Sequence, residues 1–193
     1  MPERLSEIFD EEKTPSANRY KSLVACNYVD DALLAAEEYR IYETSSRVAD
    51  GELLARAMES PSHVKAQESE FTEGAFSEAT KRGISVQQLS LTTPEKIHVF
   101  GAEKVTKFNE GKPEDKKRSY LGYVAGLCSY FREAKTPDGR RIFAVFSTPL
   151  EETPSHADIF VIIPAGREEK AAIQHHFRDA FDLSRLVAPP TGA

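Results

Sequence analysis

The segment Asp158-Ile159-Phe160-Val161-Ile162-Ile163, stopped by Pro164, constrains this chain most. A short, nearly continuous apolar run of this kind reads as a central strand buried on both faces. Arg140 to Thr148 alternates around Ile142, Ala144 and Phe146 and reads as a second strand. A Pro-rich connection of about eight residues separates the two, which predicts an antiparallel pair. Thr136-Pro137-Asp138-Gly139 ahead of them is a reverse-turn signal, because Pro presets φ and Gly tolerates positive φ. Ile84 to Leu91 supplies a third strand. Tyr120 to Glu133, rich in aromatic residues, reads as a bent strand or a helix. Leu53 to Met58 is equally open between the two.

Helical patterning dominates the first half. Met1 to Phe9 is a short amphipathic helix with Leu5, Ile8 and Phe9 on one side. Residues 20–43 carry Leu23, Val24, Val29, Leu33, Ala36, Ile41 and Tyr42 near a 3.6-residue period and predict a longer one. Thr93-Pro94-Glu95 is a helix start, with an N-cap Thr, Pro at the first helical position and an acid in the first turn. That helix runs to about Asn109 and buries Ile97, Val105 and Phe108, leaving His98 partly exposed. Gly166 to Phe181 closes the chain as a helix with Ala171, Ala172, Ile173, Phe177, Ala180 and Phe181 on its apolar side. Residues 65–83 form a polar excursion around Phe71 and Phe76. The fold class expected is α+β: a mostly antiparallel sheet packed with helices, plus an N-terminal helical segment. The expected division is an extension over 1–49, a core over 50–185 and a disordered tail over 186–193.

Composition narrows the function classes. The 193 residues carry a net charge of −6, with 25 basic against 31 acidic side chains. That balance argues against nucleic acid as a partner, since phosphate contacts need clustered Lys and Arg. Lys116-Lys117-Arg118 and Arg140-Arg141 are candidate basic patches, and both read as solvated loops. The two cysteines, Cys26 and Cys128, form no CxxC pair and read as small core residues. No secretory segment and no run of 18 apolar residues appears, so a cytoplasmic location and no membrane contact are expected.

One tripeptide recurs: Pro61-Ser62-His63 and Pro154-Ser155-His156. Two converging imidazoles can serve as general acid and base, because histidine titrates near neutrality. The histidine-x-Thr/Ser pattern of two-histidine phosphoesterases is not met, since Lys65 and Asp158 occupy the third positions. Common residues recurring by chance is the blander explanation. His156 and Asp158, two apart on a strand, face the same way, and either support each other or stand as structural groups. No third metal ligand stands at a recognisable spacing, so no metal site is expected, and the residues leave the cofactor unknown. Ser85 lacks the second Gly of a nucleophile elbow. Glu151-Glu152 reads as a solvated pair. His175-His176 point apart on a helix.

A longer series is familiar: Leu54-Ala55-Arg56, Pro61-Ser62-His63-Val64, Ala75-Phe76, Gly83-Ile84-Ser85-Val86 and Pro154-Ser155-His156-Ala157-Asp158-Ile159. It resembles a loose group of small uncharacterised bacterial proteins with the pattern R…PxHV…AF…SV…PxHA. The resemblance spans about residues 50–165. It carries no activity and implies only that Arg56, His63, Ser85 and His156 gather at one site.

Two functions fit these residues. One is a domain that binds a protein partner through its N-terminal helices, or a small ligand, within a multi-component system. The other is a small hydrolase or transferase acting on a phosphoester or nucleotide. In that reading His63 and His156 are the acid–base pair, Ser85 stands beside them, and Arg56 and Asp158 hold the ligand.

Overall fold

The computed structural model describes residues 2–65 and 70–190. Residues 66–69 of the expected polar excursion and 191–193 of the expected tail lie outside them. The architecture is α+β: a five-stranded antiparallel sheet with helices on both faces. The strands are β1 (Leu53–Ser60), β2 (Ile84–Gln88), β3 (Ser119–Leu127), β4 (Phe143–Ser147) and β5 (His156–Val161), in the spatial order β3-β1-β2-β5-β4. The helices are α1 (Pro2–Phe9), α2 (Arg19–Cys26), α3 (Asp30–Glu38), α4 (Pro94–Asn109), α5 (Cys128–Glu133) and α6 (Arg167–Ala180).

Alternation along the strands divides the side chains between two faces. Leu54, Met58, Ile84, Val86, Val124, Val145, Ile159 and Val161 meet Phe131 of α5, Ile173 and Phe177 of α6, and Phe181 beyond it. On the opposite face, Ala144, Phe146, Phe160 and Ile162 meet Leu5, Ile8 and Phe9 of α1, Leu23 of α2, and Leu33 and Ala36 of α3. Farther along that face, Ala55 and Tyr123 meet Ile97 of α4. The second face is therefore roofed by two separate helical patches. Ser85, Gln87, His156 and Asp158 lie along the seam between them.

The N-terminal residues expected as an extension are thus a packed layer. Phe9 stacks edge-on with Phe146 and Phe160, at centroid distances of 5.2 and 5.6 Å. The reason lies in β5, whose residues are all buried: such a strand needs cover on both faces, and α1 to α3 provide it on one. The single helix expected over 20–43 is two, broken at Asn27, whose φ of 46° is left-handed. Asparagine tolerates that conformation and ends α2 there.

The two ambiguous segments resolve by position. Leu53–Ser60 is strand because it lies between β3 and β2. Tyr120 to Glu133 is both strand and helix, with α5 following β3 directly. Helix α4 begins as its sequence predicts, Thr93 Oγ1 accepting from the Lys96 amide at 3.4 Å. Gly101 lets α4 approach the Tyr120 ring, which a Cβ at that position would meet at 2.7 Å or less. His98 is buried there rather than partly exposed, its Nδ1 3.0 Å from the Tyr120 hydroxyl. On α6, Ala171 and Ala172 are exposed; Ile173, Phe177 and Phe181, four residues apart, carry the burial.

Both edges of the sheet are covered. The chain expected to be disordered from 186 instead pairs with β3, Tyr123 and Val187 exchanging backbone hydrogen bonds of 3.1 and 2.9 Å. Gly122, at φ 133°, leaves room for that strand-like segment, because a Cβ there would strike the Val187 carbonyl. On the other edge, the Val145 amide donates to Glu37 Oε1 at 2.9 Å, and Arg141 Nη2 donates to the Phe143 carbonyl at 3.1 Å. Glu37 and Arg141 also bond each other at 2.8 Å, so an ion pair occupies the place of a sixth strand. Arg141 is therefore not a solvated loop residue. Neither is Arg118, which stacks 3.6 Å over Phe108 and bonds Glu59 at 3.2 Å. Among the described residues no helix is long and apolar enough to cross a membrane.

Candidate functional site

Strands β1 and β2 pair only at Leu54–Gln88 and Ala55–Gln87. Beyond that point Arg56 reaches across the opening. Its Nη1 donates to the Ser85 carbonyl at 2.9 Å, supplying a donor where the ladder has stopped. The guanidinium is buried, with Nη2 3.4 Å from His63 Nε2 and 3.6 Å from Glu78. His63 Nε2 also lies 3.4 Å from Glu59. Burial, reinforced by the Arg56 charge, pushes the His63 pKa down to about 2. His63 is a neutral imidazole at physiological pH.

Ser85 continues the chain toward β5. It stands opposite Asp158 in the ladder, and its hydroxyl donates to Asp158 Oδ1 at 3.2 Å. Thr148, just past the end of β4, donates its hydroxyl to Asp158 Oδ2 at 2.9 Å. His156 Nδ1 lies 2.8 Å from the Thr148 carbonyl and 2.9 Å from Thr148 Oγ1. A carbonyl only accepts, so Nδ1 carries the proton. In the neutral ring the remaining nitrogen, Nε2, is then the acceptor.

The structure thus strings the expected residues along one chain of contacts: His63, Arg56, Ser85, Asp158, His156. The two histidines of the repeated Pro-Ser-His tripeptide are its opposite ends, and the chain between them passes through the other three residues. Ser85 contributes its carbonyl to Arg56 and its hydroxyl to Asp158. From the N-terminal layer, Tyr42 approaches this floor. Burial raises its phenol pKa, and the Asp158 charge adds to that against the opposing charge of Arg19.

A groove of about 390 Å³ opens between the first half of α4 and residues 152–155. Its wall includes Lys96, Val99, Phe100 and Glu103 on one side, and Glu152, Thr153, Pro154 and Ser155 on the other. Beside it lies a compartment of about 20 Å³ lined by Arg56, Ser85, Gln87, Phe100, Lys104 and His156. Gln87 and Phe100 line both spaces, so the compartment adjoins the floor of the groove. The mouth is acidic, with Glu95, Glu103 and Glu152 against Lys96; the inner space is basic, with Arg56 and Lys104. Burial lowers the Lys104 pKa, and the neighbouring Arg56 charge lowers it further.

Three contributors left little trace in the sequence. Gln87 accepts at Oε1 from Ser155 Oγ at 3.2 Å. Thr148 faces His156 because the β4–β5 hairpin folds it there; its place at the end of an alternating strand was the available signal. Lys104 sits mid-helix, where nothing separates it from a solvated lysine. Of the other sequence candidates, Glu152 lines the groove. His175 is exposed beside Asp179 at 3.4 Å. Among the described residues, no three His, Cys, Asp or Glu side chains are grouped to hold a metal. The chain matches no known family model, no curated protein and no solved structure.

Proposed function

We propose that this chain is a binding domain for a small polar molecule, seated in the groove between α4 and residues 152–155. The polar seam beneath the groove carries this reading. Buried polar side chains destabilise a fold unless fully bonded, and an apolar seam would have packed the two helical patches together. Here Gln87, His156 and Asp158 are buried in the sheet, with Thr148 at its margin, below an opening of ligand size. The acidic mouth favours a neutral or cationic body, and the basic inner end favours an electron-rich group. A dianionic phosphoester suits that mouth poorly. A protein partner at the N-terminal helices is the second reading. Val29 and Leu34, 70% and 40% exposed, are the residues that favour it, although the main apolar side of those helices faces the sheet.

Amide chemical-shift mapping against a fragment library containing glycine betaine, acetate and inorganic phosphate tests the ligand reading. Shifts are expected at residues 87, 100, 153, 155 and 156, with betaine above phosphate. Val99 is 56% exposed on the groove wall, so Val99→Trp should fill the groove without disturbing the core and abolish those shifts. Shifts that ignore Val99→Trp, or none with any fragment, sink the proposal.

A further inference from the structure

We infer that the inner compartment is hydrolytic: His156 is a general base that activates a water there, and the groove holds a carboxylic ester with a neutral or cationic alcohol portion. This rests on the ligand-binding reading above. The tautomer is the first argument. With Nδ1–H fixed on Thr148, the imidazole is held in one orientation and presents Nε2 as a base. The ring lines the compartment while its Nδ1 edge is turned to Thr148.

Size is the second argument. About 20 Å³ admits one water molecule and little more. The ester itself must therefore lie in the larger groove, with its carbonyl presented at the shared boundary of Gln87 and Phe100. Charge is the third. Lys104 stands beside the compartment, and Gln87, whose Oε1 is taken by Ser155, has its amide N–H groups left as donors. Both suit an oxyanion that develops during reaction. The imidazolium formed at the same time is supported by Asp158, 3.9 Å from Nδ1 and bonded to Thr148.

The steps balance without a cofactor. Water gives a proton to His156 Nε2 as its oxygen bonds to the carbonyl carbon. The carbonyl oxygen becomes an oxyanion facing Lys104 and Gln87. Collapse breaks the bond to the alcohol oxygen, which takes the proton from Nε2–H. A carboxylic acid and an alcohol leave. Ser85 is not the nucleophile here, because its proton is directed to Asp158; it positions that carboxylate.

Three probes test this with the full chain: acetylcholine (cationic), p-nitrophenyl acetate (neutral) and p-nitrophenyl phosphate (dianionic). Enzymatic hydrolysis of the first two, and none of the third, is expected. His156→Gln should lower kcat by about 10²–10⁴-fold. Val99→Trp should abolish turnover from a site outside the hydrogen-bonded network, which keeps the test decisive if His156→Gln fails to fold. A wild-type rate no faster than buffer, equal to that of folded His156→Gln, or untouched by Val99→Trp overturns the inference. Acetylcholine that shifts groove amides without being hydrolysed removes the hydrolytic step and leaves the binding reading standing. Absence of both shift and hydrolysis removes both.

Discussion

Two buried polar networks hold this sheet, and they differ in what they leave undone. At the β4 edge, Glu37 accepts from Arg132 Nε at 3.1 Å, from Arg141 at 2.8 Å and from the Val145 amide at 2.9 Å. Arg132 also bonds the Val48 carbonyl and Asp50, both at 2.6 Å. Nothing there is a neutral base, and the Glu37 carboxylate is fully buried. At the seam, the network consists of hydroxyls, an imidazole and a single carboxylate, and it borders a compartment beside a groove. The first network ties α3 and α5 to an edge strand. The second leaves a lone pair on His156 facing space. The first network keeps orphans too, Arg132 Nη2 and Arg141 Nε, but these are donors on charged groups paired to a carboxylate. Mutual ion pairing at a sheet edge marks a structural device; an imidazole acceptor beside an opening marks a candidate site.

The sharpest way to break the comparison is at Glu37. Glu37→Ala removes the acceptor that two buried guanidinium groups and the Val145 amide share. A loss of about 3–5 kcal/mol is expected. The same change bares the β4 edge, so the variant should also associate. Urea unfolding and size-exclusion chromatography read the two effects; a stable monomeric variant would contradict the edge role. Asp158→Ala should destabilise less, by about 1–3 kcal/mol, because it removes a hydrogen-bond acceptor of two hydroxyls rather than the counter-ion of two guanidinium groups. If Asp158→Ala proves the more damaging of the two, the seam is structural and the contrast collapses.

The two networks were not equally legible in the sequence. His156 and Asp158 share a face by the two-residue strand period, and the apolar run that follows placed them on a buried strand. The seam's centre could thus be read from local pattern. Glu37 could not. It sits in an Ala- and Glu-rich helix where an acid reads as solvated, and its partners lie 95 and 104 residues away. A long-range ion pair leaves no period. The N-terminal helices read as an extension for the same reason: their apolar sides are visible in the sequence, but the sheet face that receives them is not. Ala171 and Ala172 show the converse error, since alanine matches an apolar stripe and yet sits exposed on α6. Lys104 is exposed and is distinguished only by its place in the lining of the inner compartment.

His63 sharpens the comparison from a third direction, through pH. Its folded pKa lies near 2 against an ordinary 6.5, held down by burial and then by Arg56. The unfolded chain therefore takes up a proton below pH 6.5 that the folded chain refuses. Stability from this group is complete above 6.5 and falls as pH drops toward 2, by up to about 1.4 kcal/mol per pH unit. His63→Gln should flatten that part of the profile between pH 6 and 4 relative to wild type. Parallel profiles would mean that the imidazole is protonated in the folded protein, so that Arg56 and His63 together carry two positive charges against Glu59 and Glu78.

The smallest expected effect concerns the groove wall alone. Thr93 caps α4 through a long bond of 3.4 Å to the Lys96 amide, and the helix turns that follow carry Glu95, Lys96, Val99 and Phe100 into the groove. Thr93→Ala should lower global stability by only about 0.5–1 kcal/mol, the lower part of the usual range for a lost cap. Its consequence for the groove should exceed that figure's promise, because fraying is confined to the first turn. Amide exchange should accelerate at residues 95–98 and stay unchanged at Glu37 and Val145. Weaker binding of a groove ligand with an unaltered β4 edge is the expected result; equal loosening at both places would mean the two networks are coupled through the sheet and are not separate devices.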